Sequence, residues 1–554
     1  MKLIKSQKKT SKIDIITSYI TQIEQYIVFI YLFCMLGIFP LLYKEQYHKI
    51  GNTKFEFFWN VSLFFIILSA IFILFKAVIK KITISSFINK LSFLDFTVFI
   101  YGVCVCLSYG FSDFKEYAFK GAAGWEMGLC SQLIFVAIYF LVSKQKESLK
   151  FILGIHLSSS FLVFVFGILH RFEIDPLGMY EGLNLQQKVE FLSTIGQATW
   201  FSSYVCTTFA VGLVLFYISK KHSLRIISGI YSVISFGILV TQNSDSAFIA
   251  IAGILLLLGY FSLSDIEKWC RFWQVSSLMW GTFAGIGILQ RIFVDRAVPL
   301  DALSIFFSQS VFTWVMLIVS FMIMLFYSNL YKKNLTENQL KNAKNRTENI
   351  IRLGGVMSTT KAIYKGIVFF LVVGILLTLV FIYLNTKGYL LQWFNYQNTH
   401  PYLLFDYHWG SNRGSTWMIS WQAFMQLPFY QKLFGVGPDS LSAYLYSIPE
   451  ISDLLHSLWG NVRLTNAHNE YLNSLLCYGV VGVSAWLAVL IGGITYFYKK
   501  AKDNPFMIAF ALCIMGYACH NIFCYQQVCA TPFLFIALGI GESLTKSENF
   551  NTIK

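Results

Sequence analysis

A histidine, an amide and a carboxylate lie together in the last fifth of the chain. His468 is followed by Asn469 and Glu470, and a long apolar run begins at the next residue. An imidazole accepts a proton near neutral pH, and a neighbouring carboxylate can orient its ring. The trio therefore predicts general-base chemistry by His468 with Glu470 as its partner. The alternative is a histidine that is only solvated at the end of an apolar helix.

A glycine-containing block precedes this trio. Gly435 and Gly437 permit a tight turn, and Pro438 before Asp439 suits the first turn of a helix. The N–H groups of such a turn can bind an anion. An ordinary loop-to-helix junction is the alternative, in which these residues only shape the loop.

A third group combines sulfur and imidazole side chains. The chain has 11 cysteines, and Cys519, His520, Cys524 and Cys529 lie close together. Zinc sites often contain two cysteines separated by two to four residues, whereas no Cys-x-x-Cys pair occurs here, and positions five apart do not share a helical face. A helix end followed by a short turn is the simpler interpretation, so we expect no metal and no cofactor.

The elements that position these residues are membrane helices. Of the 554 residues, 56% are hydrophobic and 13% are charged, against about 25% charged in a soluble domain. Apolar windows of about 17 to 25 residues suit a hydrocarbon core of about 30 Å. The sequence predicts an all-α polytopic membrane protein with twelve to fourteen spans. The fourteen windows cover approximately 27–43, 57–75, 91–110, 125–143, 151–169, 198–219, 226–242, 246–262, 273–290, 305–327, 364–384, 471–498, 505–522 and 528–544.

The net charge of +15 is distributed unevenly between the two sides of the predicted bundle. With the N-terminus in the cytoplasm, 30 of the 43 lysines and arginines fall inside and 13 fall outside. This asymmetry follows the positive-inside rule and predicts that both termini are cytoplasmic. The positive charge is therefore a topology signal, and we expect no nucleic-acid partner.

Arginine is concentrated on the outer side. Five of the 13 outer cations are arginine, against four of the 30 inner ones. The guanidinium group matches phosphate oxygens, so the bias indicates an anionic ligand; pairing with the 17 outer carboxylates is the alternative. The outer arginines are Arg171, Arg291, Arg296, Arg413 and Arg463.

Two segments are too long to be simple turns between spans. Residues 328–363 are predicted to be a cytoplasmic basic helix or tether, and residues 385–470 form a large outer loop. In that loop, Trp417, Trp421 and Phe424 recur at helical spacing with Met425, which predicts an amphipathic helix. The full predicted order is a basic N-terminus (1–26), ten spans (27–327), the basic loop (328–363), the eleventh span (364–384), the outer loop (385–470), three spans (471–545) and a cytoplasmic tail (546–554).

Four blocks in this region resemble the O-antigen ligase family, a group of bacterial membrane glycan ligases and polymerases. They lie in the same order and in an outer loop, with Gly479 eleven residues after His468. The strong resemblance covers about 405–490, with weaker similarity at 170–177, 194–200 and 244–247. The blocks are Arg413–Trp417, Phe434–Ser440, Ala467–Leu472 and Tyr478–Gly482.

The resemblance implies a metal-independent transferase of the GT-C type in the bacterial cytoplasmic membrane. Its donor would be a glycan linked to undecaprenyl diphosphate in the lipid, and its acceptor a hydroxyl of a glycan or glycolipid on the outer face. By resemblance, His468 is the base or acceptor-positioning residue and Arg413 contacts the donor diphosphate. Such a scheme stabilises the leaving diphosphate and deprotonates the hydroxyl.

The chain departs from the family pattern at one place. Many members carry a second arginine near the turn between the seventh and eighth spans, where this chain reads Asn243-Ser244-Asp245-Ser246. Arg171 is the first replacement we predict, followed by Arg291 and Arg296. Asp245 itself is predicted to cap the next helix.

Three alternatives remain at the level of sequence. A polymerase of the same family differs from a ligase only in its acceptor. A lipid-glycan flippase or transporter would have as many helices, although the chain shows no internal duplication of the type common in transporters. A structural scaffold would leave the four blocks unexplained.

Overall fold

The computed structural model describes residues 12–81, 91–146, 148–339 and 343–546. Within these ranges most of the chain is α-helical. The β structure there is one antiparallel pair, formed by β1 (Phe191–Leu192) and β2 (Gly196–Gln197). The prediction of an all-α fold is confirmed.

Twelve helices lie between residues 12 and 292 in the described ranges. The first continues through a π-helical turn (Cys34–Ile38) and a 3₁₀ turn (Phe39–Leu41). They are α1 (Lys12–Phe33), α2 (Ile50–Lys80), α3 (Phe93–Phe111), α4 (Lys115–Lys120), α5 (Leu129–Val142), α6 (Leu149–His170), α7 (Leu185–Glu190), α8 (Ala198–Thr208), α9 (Ala210–Ile218), α10 (His222–Thr241), α11 (Ser246–Ser262) and α12 (Ile266–Ile292).

Short helices fill the predicted outer loop, and long ones lie on either side of it. These are α13 (Ala302–Gln309), α14 (Val311–Gln339), α15 (Ala343–Thr386), α16 (Tyr389–Phe394), α17 (Trp409–Gln426), α18 (Phe429–Phe434), α19 (Leu441–Leu445) and α20 (Pro449–Trp459). The bundle is completed by α21 (Glu470–Lys500), a 3₁₀ turn (Pro505–Met507), α22 (Ile508–His520) and α23 (Thr531–Thr545).

Many of these helices are suited to a membrane. In the described part of the chain, nine helical segments are long and apolar enough to cross one, and four shorter apolar helices accompany them: α5, α11, α22 with its 3₁₀ turn, and α23. Each of the fourteen predicted windows falls on a helix or a helix pair. The chain is a multi-pass membrane protein, and the count of fourteen spans stays a prediction.

The basic segment 328–363 is not separated from its neighbouring spans as a loop. α14 continues to Gln339 and α15 already begins at Ala343, so both helices extend well beyond their apolar windows. Lysine and arginine are good helix formers, which allows a helix to continue past the point where its side chains become charged.

The predicted helix in the outer loop exists as α17, but it buries a different face from the one predicted. Ile419, Ala423 and Phe424 are buried, whereas Trp421 and Met425 are each 53% exposed. The sequence pattern located the helix correctly because its period is helical. It could not indicate that the small residues of this helix face the bundle.

Two ion pairs between charged side chains mark one end of the bundle. There, Lys76 Nζ lies 2.6 Å from a Glu24 carboxylate oxygen and Lys546 Nζ lies 3.2 Å from Asp95. Asp95 forms a capping box with Ser92, so it lies at the start of α3 and not deep in its span. The candidate site lies at the opposite end of the bundle.

Candidate functional site

The Arg413 and His468 blocks meet at one end of the bundle. The regular part of α17 begins at Arg413, because residues 410–412 have left-handed backbone conformations. One turn later, the Thr416 hydroxyl donates to the carbonyl oxygen of Ala467 at 3.0 Å. This bond fixes the first turn of α17 against the residue that precedes His468.

A tight turn presents the His468 imidazole. His468 has a φ of 49°, and its backbone N–H donates to the side-chain oxygen of Asn466 at 3.0 Å. Asn469 then caps α21 by accepting from the Leu472 N–H at 2.9 Å. The imidazole packs edge-on against Tyr525 at 5.3 Å. Among the described residues, neither ring nitrogen has a hydrogen-bond partner, so both remain available to a ligand.

Burial and charge keep this imidazole neutral. Burial lowers the pKa of His468, and the positive charge of Arg413 acts in the same direction; together they bring it from 6.5 to about 4. A histidine with this pKa is unprotonated at neutral pH and can therefore accept a proton. Arg413 thus helps to keep the His468 imidazole unprotonated near neutral pH, although the lower pKa makes it a weaker base.

Arg413 retains unused hydrogen-bond donors. Its Nη1 donates to the carbonyl oxygen of Gly410 at 3.0 Å, and the guanidinium lies over the Phe523 ring at 5.8 Å. Nε is buried and has no partner in the described part of the chain. Since a guanidinium carries five N–H donors, most of them are free to bind an anion.

His520 and Asp245 both lie near Arg413. His520 is fully buried at the end of α22, and its Nε2 lies 2.9 Å from the hydroxyl oxygens of both Ser202 and Ser246. The sequence singled out His520 only as part of a cysteine cluster. In the ranges that the structure describes, no three histidine, cysteine or acidic side chains are arranged to hold a metal.

Asp245 is close enough for its charge to interact with that of Arg413. Burial raises the pKa of Asp245, Asp301 raises it further and Arg413 lowers it. The prediction that Asp245 caps the next helix is wrong, because its side chain makes no capping hydrogen bond to α11. Its backbone is helical at this position, which directs the carboxylate away from the free N–H groups.

Glu470 does not contact the His468 ring, unlike the arrangement that the sequence predicted. One carboxylate oxygen accepts from the Ser474 hydroxyl at 2.8 Å, and the other accepts from the Gln526 N–H at 2.7 Å. Glu470 is the first residue of α21 and only 1% exposed. The start of the helix turns this side chain into the bundle, away from the imidazole.

The other predicted arginines differ in their accessibility. Arg171 is 0% exposed, and its guanidinium donates to backbone carbonyl oxygens of Lys188, Val189 and Gln242. It therefore stabilises packing and does not present donors to a ligand in this structure.

Arg291 and Arg296 are both exposed. Arg291 donates to the Gln309 carbonyl oxygen at 2.7 Å, whereas the Arg296 side chain has no partner among the described residues. The loop that follows Arg296 is hydrogen-bonded to Asn243, which donates to the carbonyl oxygen of Pro299 at 2.9 Å. Arg296 consequently belongs to the same end of the bundle as Asp245.

The glycines of two blocks allow their backbones to touch. Gly435 has a φ of 80°, and a Cβ there would lie 2.1 Å from the Cys477 carbonyl oxygen. Gly479 has a φ of 66°, and a Cβ there would lie 2.3 Å from the Leu433 carbonyl carbon. The Gly437 N–H donates to Cys477 at 3.0 Å. The glycine block therefore serves as a packing surface for a break in α21.

Asp439 lies at the end of this glycine block and connects it to the loop between α4 and α5. Its Oδ2 accepts from the backbone N–H groups of Ala122 at 2.7 Å and Met127 at 3.1 Å. Burial raises the pKa of Asp439 to about 7, against the lowering effect of these two bonds. Asp439 thus has a structural partner that lies more than 300 residues away in the chain.

Comparison with known proteins agrees with this geometry. Residues 297–487 match the family model described as O-antigen ligase. The matched range includes Arg413, the glycine block and His468, so the family prediction is confirmed. No curated protein matches the chain.

Proposed function

Because residues 297–487 place the chain in the O-antigen ligase family, we propose that it transfers a glycan from a lipid diphosphate carrier to an acceptor hydroxyl. The carrier in this proposal is undecaprenyl diphosphate, and the reaction takes place on the outer face of the bacterial cytoplasmic membrane. A polymerase of the same family would use the same site with a growing glycan as its acceptor.

The observation that carries the proposal is the juxtaposition of a neutral imidazole and an arginine with free donors. His468 and Arg413 come from blocks 55 positions apart by their numbers, and the Thr416 bond to Ala467 brings the two blocks into contact. A base and a cation are the two groups that this transfer requires when the donor is already activated.

The proposed step is a displacement at the anomeric carbon. His468 takes the proton of the acceptor hydroxyl while its oxygen forms a bond to that carbon. The bond between the carbon and the diphosphate oxygen breaks, and the lipid diphosphate leaves with the bonding electrons. Arg413 stabilises the negative charge that develops on the leaving oxygen.

A second cation would complete the diphosphate site, and we propose Arg296 for this role. Its side chain is exposed, and its loop is bonded to the Asn243 turn, where many family members carry an arginine. Arg171, the first replacement that the sequence predicts, is less suited to this role because it is buried and bonds to three carbonyl oxygens. Arg291 is the weaker choice because it is already bonded to Gln309.

The proposed topology has fourteen spans in a GT-C-like arrangement, with both termini in the cytoplasm. It is supported by the agreement between the predicted windows and the helices, and by the charge asymmetry between the two sides. This orientation puts His468 and Arg413 on the outer face, where the lipid-linked donor would be presented.

The test is transfer activity of the full-length chain purified in detergent, where no substrate has to cross a membrane. His468→Ala and Arg413→Ala are each expected to lower kcat/KM by at least about 100-fold. Arg413→Lys should retain part of the activity, since it keeps the charge and loses the planar fork. The matched controls are His400→Ala, an exposed histidine of the same region, and Arg271→Ala, at the opposite end of the bundle.

Two results would contradict the proposal. Wild-type protein that translocates the lipid-linked glycan in vesicles but shows no transfer in detergent would identify a flippase. Full transfer activity in both His468→Ala and Arg413→Ala would exclude the assigned roles even if transfer itself is observed.

A further inference from the structure

The end of α22 and the turn after it contact both candidate groups of the site. This stretch, the 518–526 segment, follows the range that matches the family model. The Arg413 guanidinium lies over the Phe523 ring at 5.8 Å. Two residues further on, the Tyr525 ring packs edge-on against the His468 imidazole at 5.3 Å. The cation and the base come from two different blocks, but both contact the same short segment.

Glu470 holds the 518–526 segment against the start of α21 at two points. Its backbone N–H donates to the carbonyl oxygen of Asn521 at 3.0 Å, and its carboxylate accepts from the Gln526 N–H at 2.7 Å. These two bonds lie on either side of the stretch that contains the two aromatic rings. Since Glu470 comes two positions after His468, the segment is anchored next to the turn that presents the imidazole.

His520 ties the same segment to two further helices. Its Nε2 lies 2.9 Å from the hydroxyl oxygens of Ser202 in α8 and Ser246 in α11. The Asn521 side-chain oxygen lies 3.4 Å from Nδ1, which favours the proton on that nitrogen and leaves Nε2 to accept from the serines. Both ring nitrogens are therefore occupied, and His520 acts as an anchor and not as a second base.

The Phe523 ring is fixed by aromatic side chains of the Arg413 region. It stacks on Trp417 at 5.6 Å and lies 6.4 Å from Trp409. These two tryptophans lie four positions after and four positions before Arg413. A cation over an aromatic face is attracted by the ring electrons. Because a phenyl ring has no carbonyl or hydroxyl oxygen, it restrains the guanidinium without accepting a conventional hydrogen bond from its donors.

The Tyr525 ring is fixed in a similar way beside the imidazole. Tyr525 is only 6% exposed and packs edge-on against Trp125 at 4.9 Å. Its hydroxyl accepts from the Trp200 indole N–H at 3.3 Å. The contact with His468 is made by the ring, so it restrains the imidazole and shields it from water while both imidazole nitrogens stay available.

We propose that the 518–526 segment sets the relative position of the two groups, with Phe523 the positioning residue for the Arg413 guanidinium and Tyr525 the positioning residue for the His468 imidazole. The proposal rests on the proposed function for what the two groups do. Neither positioning residue has to touch a substrate. Both come from a part of the chain outside the range that matches the family model.

The test of Tyr525 needs no transfer activity. Full-length protein in detergent is treated with diethyl pyrocarbonate, which reacts with unprotonated imidazole, and modification of His468 is followed on its peptide by mass spectrometry from pH 8 to pH 4. In the wild type the rate should fall only towards pH 4, where the pKa of His468 lies. Tyr525→Leu admits water to the imidazole, so the midpoint should rise to about 5 or above, whereas Tyr525→Phe keeps the ring and should keep the midpoint.

The control for this experiment is Tyr402→Leu, because Tyr402 is 55% exposed in the same outer loop region as Arg413. It should leave the profile of His468 unchanged. An unchanged midpoint in Tyr525→Leu, or an equal rise in Tyr525→Phe, would overturn the role of the Tyr525 ring.

Phenylglyoxal modification of arginine tests Phe523 in the same preparation. The rate at Arg413, measured on its peptide, should be at least about three-fold higher in Phe523→Leu than in the wild type, because the ring no longer restrains the guanidinium. Phe523→Tyr should react like the wild type. The matched control is Phe405→Leu, since Phe405 contacts the same two tryptophans and has no lysine or arginine over its ring in the described part of the chain. Equal rates in all four proteins would overturn the role of Phe523.

Transfer kinetics then connect this position to the reaction. Phe523→Leu should lower kcat/KM about ten-fold, because a displaced cation stabilises the leaving diphosphate less, and Phe523→Tyr should restore most of it. In the Arg413→Ala background, Phe523→Leu should cause no further loss beyond about two-fold. A further ten-fold loss there would show that Phe523 acts independently of Arg413 and would contradict the positioning role.

The two sets of measurements separate this proposal from the proposed function. If the wild type shows no transfer, the proposed function fails, while the modification rates of His468 and Arg413 still decide whether the 518–526 segment positions them. Size-exclusion elution and unfolding temperature verify that each variant folds. If both modification experiments give wild-type rates in the folded variants, the segment has no positioning role even if transfer is observed.

Discussion

At the scale of single residues, the depressed pKa of His468 determines how the activity depends on pH. Burial and Arg413 together hold this pKa at about 4. We expect kcat/KM to stay level from pH 8 to pH 6 and to fall only as the pH approaches 4, because the base is required in its neutral form. A pH profile of the detergent-purified protein measures this, and a fall centred on pH 6.5 would contradict it.

The same shift has a consequence for stability. In the unfolded chain His468 titrates near its ordinary value of 6.5, so between pH 6.5 and pH 4 the unfolded state binds a proton that the folded state does not. The contribution of His468 to stability is therefore lost as the pH falls through this window.

Removal of the Arg413 charge by Arg413→Gln should move the acid limb of the activity to a higher pH.

Glu470 gives the second prediction at this scale. Because its carboxylate bonds to Ser474 and to the Gln526 N–H, it orients the start of α21 and not the imidazole. Glu470→Gln keeps the shape and one accepting oxygen, so we expect kcat/KM within about five-fold of wild type and an unchanged acid limb. Kinetics over the same pH range measure this. A loss as large as that of His468→Ala would restore Glu470 to a catalytic role.

At the scale of helices and loops, the contact between Gly435 and Gly479 explains the spacing of the blocks. Gly479→Ala would place a Cβ 2.3 Å from Leu433 in a conformation that disfavours side chains. Overpacking of this kind costs about 1 to 3 kcal/mol. We expect a lower unfolding temperature and less activity, measured by thermal melts in detergent.

The control for this variant is Gly374→Ala, because Gly374 has open space around its Cα in the exposed helix α15. Alanine is a better helix former than glycine, so this change should leave the unfolding temperature equal or raised. If both variants melt alike, close packing of the two backbones is not what the Gly479 position requires.

The sequence predicted helices and blocks well at this scale because both are local patterns. The helical period identified α17, and the glycines indicated a tight turn. The structure shows that this turn packs against Cys477. The sequence did not indicate in which direction each side chain points. Adjacency in the chain suggested that Glu470 serves His468, but the helix start sends the two side chains apart.

The sequence also did not predict which residues far apart in the chain contact each other. Trp125 stands in a short loop between two spans, and nothing in its own neighbourhood links it to Asp439 or Tyr525. Arg171 presented the opposite difficulty, since a charged residue in a recognisable block suggested a ligand. Its three carbonyl partners come from segments about 20 to 70 residues away, and only the fold shows that the guanidinium bonds to them.

At the scale of the whole molecule, the distribution of charge makes a prediction about orientation. The bundle separates the end with Asp95 and Lys546 from the end with Arg413 and His468. With the first end in the cytoplasm, 30 of the 43 lysines and arginines fall on the cytoplasmic side. Retention of positive charge on that side is what sets the orientation of helices during insertion.

Cysteine labelling of right-side-out membrane vesicles tests this orientation. Val462 is 65% exposed near His468, and Lys502 is exposed beyond the far end of α21. An impermeant maleimide should label Val462→Cys in intact vesicles and Lys502→Cys only after lysis, with the wild type as the background because Cys106 is exposed. The reverse pattern would place His468 in the cytoplasm. The lipid-linked donor would then have to react before export, and transfer on the outer face would be excluded.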